Sequence, residues 1–175
     1  MVDSTAEEKR GISAMELLSI VGFAFLIGWM FVQFFWLFCD FPREVPVSTR
    51  DFTQMWAFVG IPVGYIVLHA LGRLPRFNVF STPCVSVELV FAVALPIATF
   101  AMYNGAHIPL AVVCVLNFLA GIAFAGFNLS WLDVCSRLKT TSYGRFTGLA
   151  YAGGTLLFAL AALAPESMQP AFIFI

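Results

Sequence analysis

Residues 110–132 read LAVVCVLNFLAGIAFAGFNLSWL and contain no charged side chain. A helix that crosses a hydrocarbon core of roughly 30 Å needs about 20 mostly apolar residues, so this stretch is long enough to span a membrane. Its apolar residues follow one another without the period-two alternation of a barrel strand. The stretch therefore predicts a transmembrane helix.

Similar stretches lie on both sides of it. They cover residues 14–38, 52–71, 79–103 and 146–163, and a further apolar run begins at residue 171 and reaches residue 175. Prolines and charges separate the first two stretches, and Asn104 with Gly105 predicts a turn before residue 110. The fold class predicted is an all-α polytopic bundle over residues 14–175, with five complete spans and the start of a sixth.

The composition places the chain in the same class. Hydrophobic residues make up 61% of the sequence and charged residues 11%, with a mean hydropathy of +0.91. Soluble domains are about 45–50% apolar and about 25% charged, so an integral membrane protein with the lipid bilayer as its partner is predicted. The formal net charge of −1 leaves no basic excess, and no contact with nucleic acid is expected from this segment.

The basic residues predict how the bundle is oriented. Short loops rich in Lys and Arg stay in the cytoplasm, and counting from a cytoplasmic N-terminus places seven of the nine on that side. These are Lys9, Arg10, Arg73, Arg76, Arg137, Lys139 and Arg145. Residues 1–13 are therefore expected to be a cytoplasmic segment, and the bundle is expected in the inner or plasma membrane of the cell.

Three polar residues inside the predicted spans are candidates for binding a ligand or a proton. An ionisable side chain in the bilayer costs roughly 2.5–3.5 kcal/mol on insertion scales, which makes Glu88 the clearest of them. It lies about nine residues into its span, roughly 13 Å deep, where it could bind a proton, balance a cationic ligand or fix helix packing. Gln33 and Asn117 fall nearer the outer face of the membrane, where they could form hydrogen bonds with a small-molecule ligand in a cavity, or with each other.

No pattern in the sequence indicates catalysis or metal binding. The cysteines, Cys39, Cys84, Cys114 and Cys135, form no C-x-x-C pair and have no histidine at metal-ligand spacing. Phosphate-binding, metalloprotease and nucleophile-elbow motifs are missing from the sequence. We therefore expect no enzyme activity, no cofactor and no metal. Asp133 with Arg137, four residues apart, is expected to form a cytoplasmic ion pair.

Small residues predict where helices approach closely. One such seam is Gly121 with Ala125, and a second is Gly144, Gly148 and Ala152 at four-residue spacing. Both are expected to be packing seams.

Two short stretches resemble sequences of the major facilitator superfamily. Residues 72–76, GRLPR, are similar to that family's D-R-x-G-R turn, with Arg73 and Arg76 in place and Gly72 where the family has aspartate. Residues 143–155, YGRFTGLAYAGGT, are similar to the G-R-x-x-G run that opens helix five, with Arg145 matching. The resemblance implies the N-terminal half of a carrier: two inverted three-helix units, basic gating residues at the cytoplasmic side, and a solute site at the midplane.

A third stretch resembles a different group. Residues 131–138, WLDVCSRL, are similar to the W-x-D/E-x-x-x-R stretch in the carrier-like membrane domain of some LuxR-type regulators, with Asp133 and Arg137 matching. That resemblance implies a sensor that binds a ligand without transporting it. Three classes thus stay open: a carrier half, a membrane sensor, and a structural membrane subunit with no ligand. A half bundle would also expose a large surface to a C-terminal half or a dimer partner.

Overall fold

The structure is a computed structural model that describes residues 14–35, 46–74, 78, 80–136, 140–165 and 168. These residues form five helices and no strand, which confirms the all-α prediction. The helices are α1 (Ala14–Phe35), α2 (Val47–Gly72), α3 (Thr82–Tyr103), α4 (Leu110–Ser136) and α5 (Thr140–Leu163).

Four of the helices are long and apolar enough to cross a membrane. The spanning segments are Asp51–Gly72, Thr82–Met102, Leu110–Ser136 and Tyr143–Leu163, whereas the apolar part of α1, Glu16–Val32, is shorter. The chain is therefore a multi-pass membrane protein by the length and composition of these helices. The predicted sixth span lies outside the described residues.

Several helices begin or end away from the predicted spans. Helix α2 begins at Val47, directly behind Pro46, so the prediction of a loop up to residue 51 was wrong at its end. Helix α4 continues past Asp133 to Ser136. Runs of apolar residues define only the part of a helix that suits hydrocarbon, and polar turns extend these helices beyond it. Helix α3 begins later than predicted, at Thr82, with Pro83 in the first turn where its missing N–H costs nothing.

The predicted turn at Asn104 and Gly105 ends α3. Gly105 has a φ of +86°, a left-handed conformation that glycine adopts without strain. The N–H of Gly105 donates to the carbonyl of Met102 and that of Ala106 to the carbonyl of Ala101, both at 3.0 Å. These two bonds form a Schellman motif, which satisfies the last carbonyls of the helix and reverses the chain toward α4.

The helices pack in pairs: α2 on α4, α1 on α5, and α3 on α4. A core at the centre joins four of them through Trp29 of α1, Ala57 of α2, Ala92 of α3, and Ala123 and Phe124 of α4. A second cluster joins α1, α4 and α5 through Ile20, Ile27, Cys135, Phe146 and Ala150.

Glycine permits the closest approach, which is between α2 and α4. A Cβ placed on Gly121 would overlap the carbonyl oxygen of Ala57 and lie 3.0 Å from the Cα of Gly60. The seam predicted at Gly121 is therefore present. The seam predicted at Gly144 and Gly148 was wrong, because no atom of the described residues lies within 4 Å of a Cβ placed on either.

Helix α5 instead approaches α1 through the next two glycines. A Cβ on Gly153 would lie 2.9 Å from the Cβ of Ala24, and one on Gly154 would lie 2.6 Å from the Cβ of Ile27. The four-residue spacing therefore predicted the wrong contact face of α5, since small residues occur on both the exposed and the packed sides of this helix.

The contacts also define helix direction. The residue numbers of contacting positions increase together along α2 and α4, from Gly60 beside Gly121 to Gly64 beside Ala125, so these helices are parallel. Helices α1 and α5 are parallel for the same reason. Helix α3 runs antiparallel to α4, with Glu88 beside Gly126 and Leu95 clustered with Val113 and Ala120.

Eight of the twelve buried positions of α1 and α2 have a buried counterpart 93 residues later, in α4 and α5. In α1 and α4 the matching buried positions are Ile20 and Val113, Ala24 and Asn117, Ile27 and Ala120, Gly28 and Gly121, and Val32 and Ala125. In α2 and α5 they are Thr53 and Phe146, Ala57 and Ala150, and Leu68 and Ala161. The counterparts of Trp29, Gln54, Gly60 and Gly64 are only half-buried. If α1 is exchanged with α4 and α2 with α5, the parallel pair of α1 and α5 becomes the parallel pair of α4 and α2. Two segments of the chain therefore share part of one packing pattern.

Candidate functional site

Polar side chains are buried along the central helices rather than exposed on the surface of the bundle. Glu88 is 4% exposed, Asn117 is 1% exposed, and Thr53 and Thr99 are fully buried. In a helix bundle within lipid, such groups either bind each other, bind a ligand or hold helices in register.

Glu88 lies in the second turn of α3 and faces α4. Its carboxyl occupies the space that a side chain on Gly126 would need, and its Oε1 accepts a hydrogen bond from the Sγ of Cys84 at 3.9 Å. Its Oε2 has no partner among the described residues. Because α3 begins at Thr82, Glu88 lies only about 9 Å along the helix axis, nearer the helix end than the sequence predicted.

Asn117 lies one turn before Gly121 on α4. Its Nδ2 donates to the carbonyl of Val113 at 3.0 Å, and its Oδ1 has no partner within the described part of the chain. An amide oxygen buried in this way is an unused acceptor, which lowers the free energy of unfolding unless a hydrogen-bond donor binds it. Gln33 lies in α1, but its side chain lies outside the described residues.

Two further buried polar atoms were missed by the sequence analysis. The Oγ1 atoms of Thr99 in α3 and Thr147 in α5 are buried without a partner among the described residues. Thr99 shares one buried stripe of α3 with Glu88, at a separation of 11 residues and therefore roughly 16 Å. A polar residue within an apolar span was the available signal, but threonine is common at helix contacts and did not stand out.

The predicted cytoplasmic residues are only partly described. Arg73 caps α2 and its Nη2 lies 2.9 Å from the Nε2 of His69, so the guanidinium donates to the ring nitrogen on an exposed surface. Arg145 is exposed on α5, and Asp133 is half-buried on α4. Arg76 and Arg137 lie outside the described residues, and so does the predicted ion pair between Asp133 and Arg137.

One open apolar groove lies between α2 and α4, at the end where both helices begin. It has a volume of about 520 Å³. Its lining is Phe52, Trp56, Leu110, Ala111, Cys114, Val115 and Phe118. Neither Glu88 nor Asn117 is in that lining, so the groove and the buried polar residues are separate features.

Comparison with known proteins adds no relative: no family model, curated protein or solved structure matches this chain. Groups of three or more metal-ligating side chains are also missing from the described part of the chain. A function therefore has to be argued from the packing and the buried polar residues.

Proposed function

We propose that this chain is the N-terminal half of a carrier-like membrane protein that binds a small solute and moves it across the membrane. One observation carries the proposal: eight of the twelve buried positions of α1 and α2 are matched by buried positions of α4 and α5 after 93 residues. Inverted repeats of this kind build many secondary transporters, and their solute sites lie at the repeat interface near the midplane.

The direction of the helices supports the same proposal. Successive spans cross a membrane in alternating directions, so α1 and α4 run in opposite senses, as do α2 and α5. A two-fold axis in the membrane plane exchanges such helices, and it converts the parallel pair of α1 and α5 into the parallel pair of α4 and α2. The N-terminus is proposed to be cytoplasmic in the inner or plasma membrane, since that places most of the basic residues inside.

Asn117 is the residue we assign to solute binding. It lies on α4, the helix that the proposed two-fold axis exchanges with α1. It is buried beside the glycine contact with α2, and its Oδ1 accepts no hydrogen bond from the described residues. Neutral polar groups of this kind orient a solute through hydrogen bonds in an otherwise apolar site. We also assign Gln33 and Glu88 to solute binding. A C-terminal half or a dimer partner is proposed to supply the rest of the site.

A sensor is the second candidate, because Trp131 occupies a junction. It stacks near Phe23 of α1 and Phe146 of α5, with ring centroids 5.1 and 6.3 Å away. The W-x-D stretch is therefore placed where three helices meet, and a change in their packing could pass along α4 to a cytoplasmic domain. Such a protein would bind its ligand without moving it.

The test uses the chain joined to the C-terminal half that completes its site, or its dimer where no such half follows, in lipid vesicles with a panel of radiolabelled amino acids, sugars, carboxylates and lipophilic cations. We expect at least one class to bind and to accumulate inside the vesicles. We also expect Asn117→Leu to weaken that binding more than tenfold, since the amide is lost, while the matched Asn128→Leu variant of the half-buried Asn128 binds normally. Binding without accumulation would contradict the carrier and favour the sensor. If no solute binds or accumulates, both proposals fail and a structural subunit is favoured.

A further inference from the structure

The carboxyl of Glu88 in α3 packs against the backbone of Gly126 in α4. A Cβ placed on Gly126 would overlap the Glu88 carboxyl carbon and both oxygens, so any larger residue at position 126 requires that group to move. The carboxyl thus occupies a seat that is open because position 126 has no side chain.

The ionisable groups that the structure describes around this seat offer Glu88 no cation. On α3 its neighbour is the thiol of Cys84, which is its only partner among the described residues. On α4 the nearest titratable residues are Asp133 and Cys135, seven and nine positions beyond Gly126. At the end of α2, His69 and Arg73 are exposed and bonded to each other.

The described parts of α1 and α5 add no counter-charge to the seat. The titratable side chain described on α1 is Glu16, near its start, and that helix meets α4 through Gly22 and Trp131. Arg145 on α5 is exposed, and α5 packs on α1 rather than on α3. Among the described residues, an ionised Glu88 would therefore have one weak S–H donor and no opposite charge.

The two protonation states of Glu88 fit this seat differently. The neutral acid can remain in a dry helix contact, because it carries no charge that water must solvate. The carboxylate needs several donors or a cation, but the described residues give it only the Cys84 thiol, and its Oε2 is buried without a partner among them. Loss of the proton therefore favours a state in which α3 has moved off α4 and water reaches the carboxylate.

We propose that Glu88 is a proton-binding site whose occupancy controls the contact between α3 and α4. Proton uptake converts the carboxylate to the carboxylic acid and seats it on Gly126, and proton release separates the two helices. The proposal rests on the α3 and α4 contact alone and requires no solute, so it can hold where the carrier function fails, and the reverse is also true.

The test is infrared difference spectroscopy of the full chain in lipid bilayers during a pH titration. We expect the C=O absorption of a buried carboxylic acid to appear as the pH falls and to be missing in Glu88→Gln, which keeps the shape of the neutral acid. A band that stays at every pH would mean a permanently bound proton, and no band at any pH would mean a permanent carboxylate. Either result overturns the proposal.

A second pair of variants keeps the test valid where Glu88→Gln fails to fold. Gly126→Ala forces the carboxyl out of its seat, so we expect the midpoint of the titration to move. Gly148→Ala has open space around the added methyl and should leave the midpoint unchanged. Equal midpoints in the wild type and Gly126→Ala would show that the seat does not govern proton binding, and the proposal would fail.

Discussion

Gly121→Ala should destabilise the bundle by about 2–3 kcal/mol, the upper part of the range for overpacking in a close-packed core. The added methyl overlaps the Ala57 carbonyl oxygen and lies 3.0 Å from both the Cα of Gly60 and the N of Ile61. These are backbone atoms, so no side-chain rotation relieves the overlap and α2 has to move away from α4. Unfolding of the purified chain in mixed micelles with increasing dodecyl sulfate measures the loss.

Gly148→Ala is the matched control for this variant. Both substitutions add one methyl group to a glycine in a long helix, but Gly148 faces open space. Alanine has a higher helix propensity than glycine by about 1 kcal/mol, so the control should be neutral or slightly more stable. Equal stability of the two variants would contradict the close approach of α2 and α4.

Trp131→Ala should cost about 2–3 kcal/mol in the same assay. The indole packs on Phe23 and Phe146 and touches the backbone side of α1 at Gly22, at 3.1 Å from a Cβ placed there. It therefore connects the pair of α1 and α5 to α4. Truncation of a large aromatic in a core leaves a cavity, and costs of about 3–5 kcal/mol are typical for buried positions; Trp131 is only half-buried.

Trp56→Ala provides the comparison for Trp131→Ala. Trp56 is 39% exposed beside the open groove, with Phe52 as its ring neighbour on the same helix. Trp56 is more exposed than Trp131 and its aromatic neighbour lies on its own helix, so the effect should be less than half as large. A larger loss for Trp56→Ala would show that the aromatic cluster at Trp131 does not hold the helix pairs together.

Long apolar helices were predictable from the sequence because the bilayer demands them, and four of the five predicted complete spans lie in helices long and apolar enough to cross a membrane, whereas the apolar part of α1 is shorter. Helix boundaries were less predictable, since α2 and α4 extend into polar segments that hydropathy does not count. Contacts between helices were the least predictable. Gly121 and Gly148 are both glycines in apolar helices, and only the position of a neighbour decides that one is packed and the other is exposed.

In the candidate site, too, the polar residues were predictable from the sequence and their contacts were not. Glu88 and Asn117 stood out because polar residues are rare within spans, and both are buried. Their partners were not readable from the sequence: Gly126 carries no chemical signal, and Cys84 is one of four scattered cysteines. The repeat was also invisible as sequence similarity, because it conserves which positions are buried and not which residues occupy them.

Disulfide cross-linking of two cysteine pairs tests the repeated helix pairing most directly. The pairs are Ala24→Cys with Gly153→Cys, and Gly64→Cys with Ala125→Cys, in a chain whose native cysteines are replaced by alanine. A Cβ placed on Gly153 lies 2.9 Å from that of Ala24, and one placed on Gly64 lies 2.8 Å from that of Ala125, within about 1 Å of the 3.8 Å typical of disulfides. A protease site inserted between Asn104 and Pro109 then separates the fragments unless a disulfide links them.

Both pairs should hold the two fragments together after cleavage and oxidation in membranes. The control pair of Ala24→Cys with Ala161→Cys, about 12 Å further along the parallel helix, should not. That result would establish both parallel pairs, α1 with α5 and α2 with α4, as the repeat requires. Linkage in the control but not in the Ala24 and Gly153 pair, or linkage in only one of the two test pairs, would contradict the repeated packing.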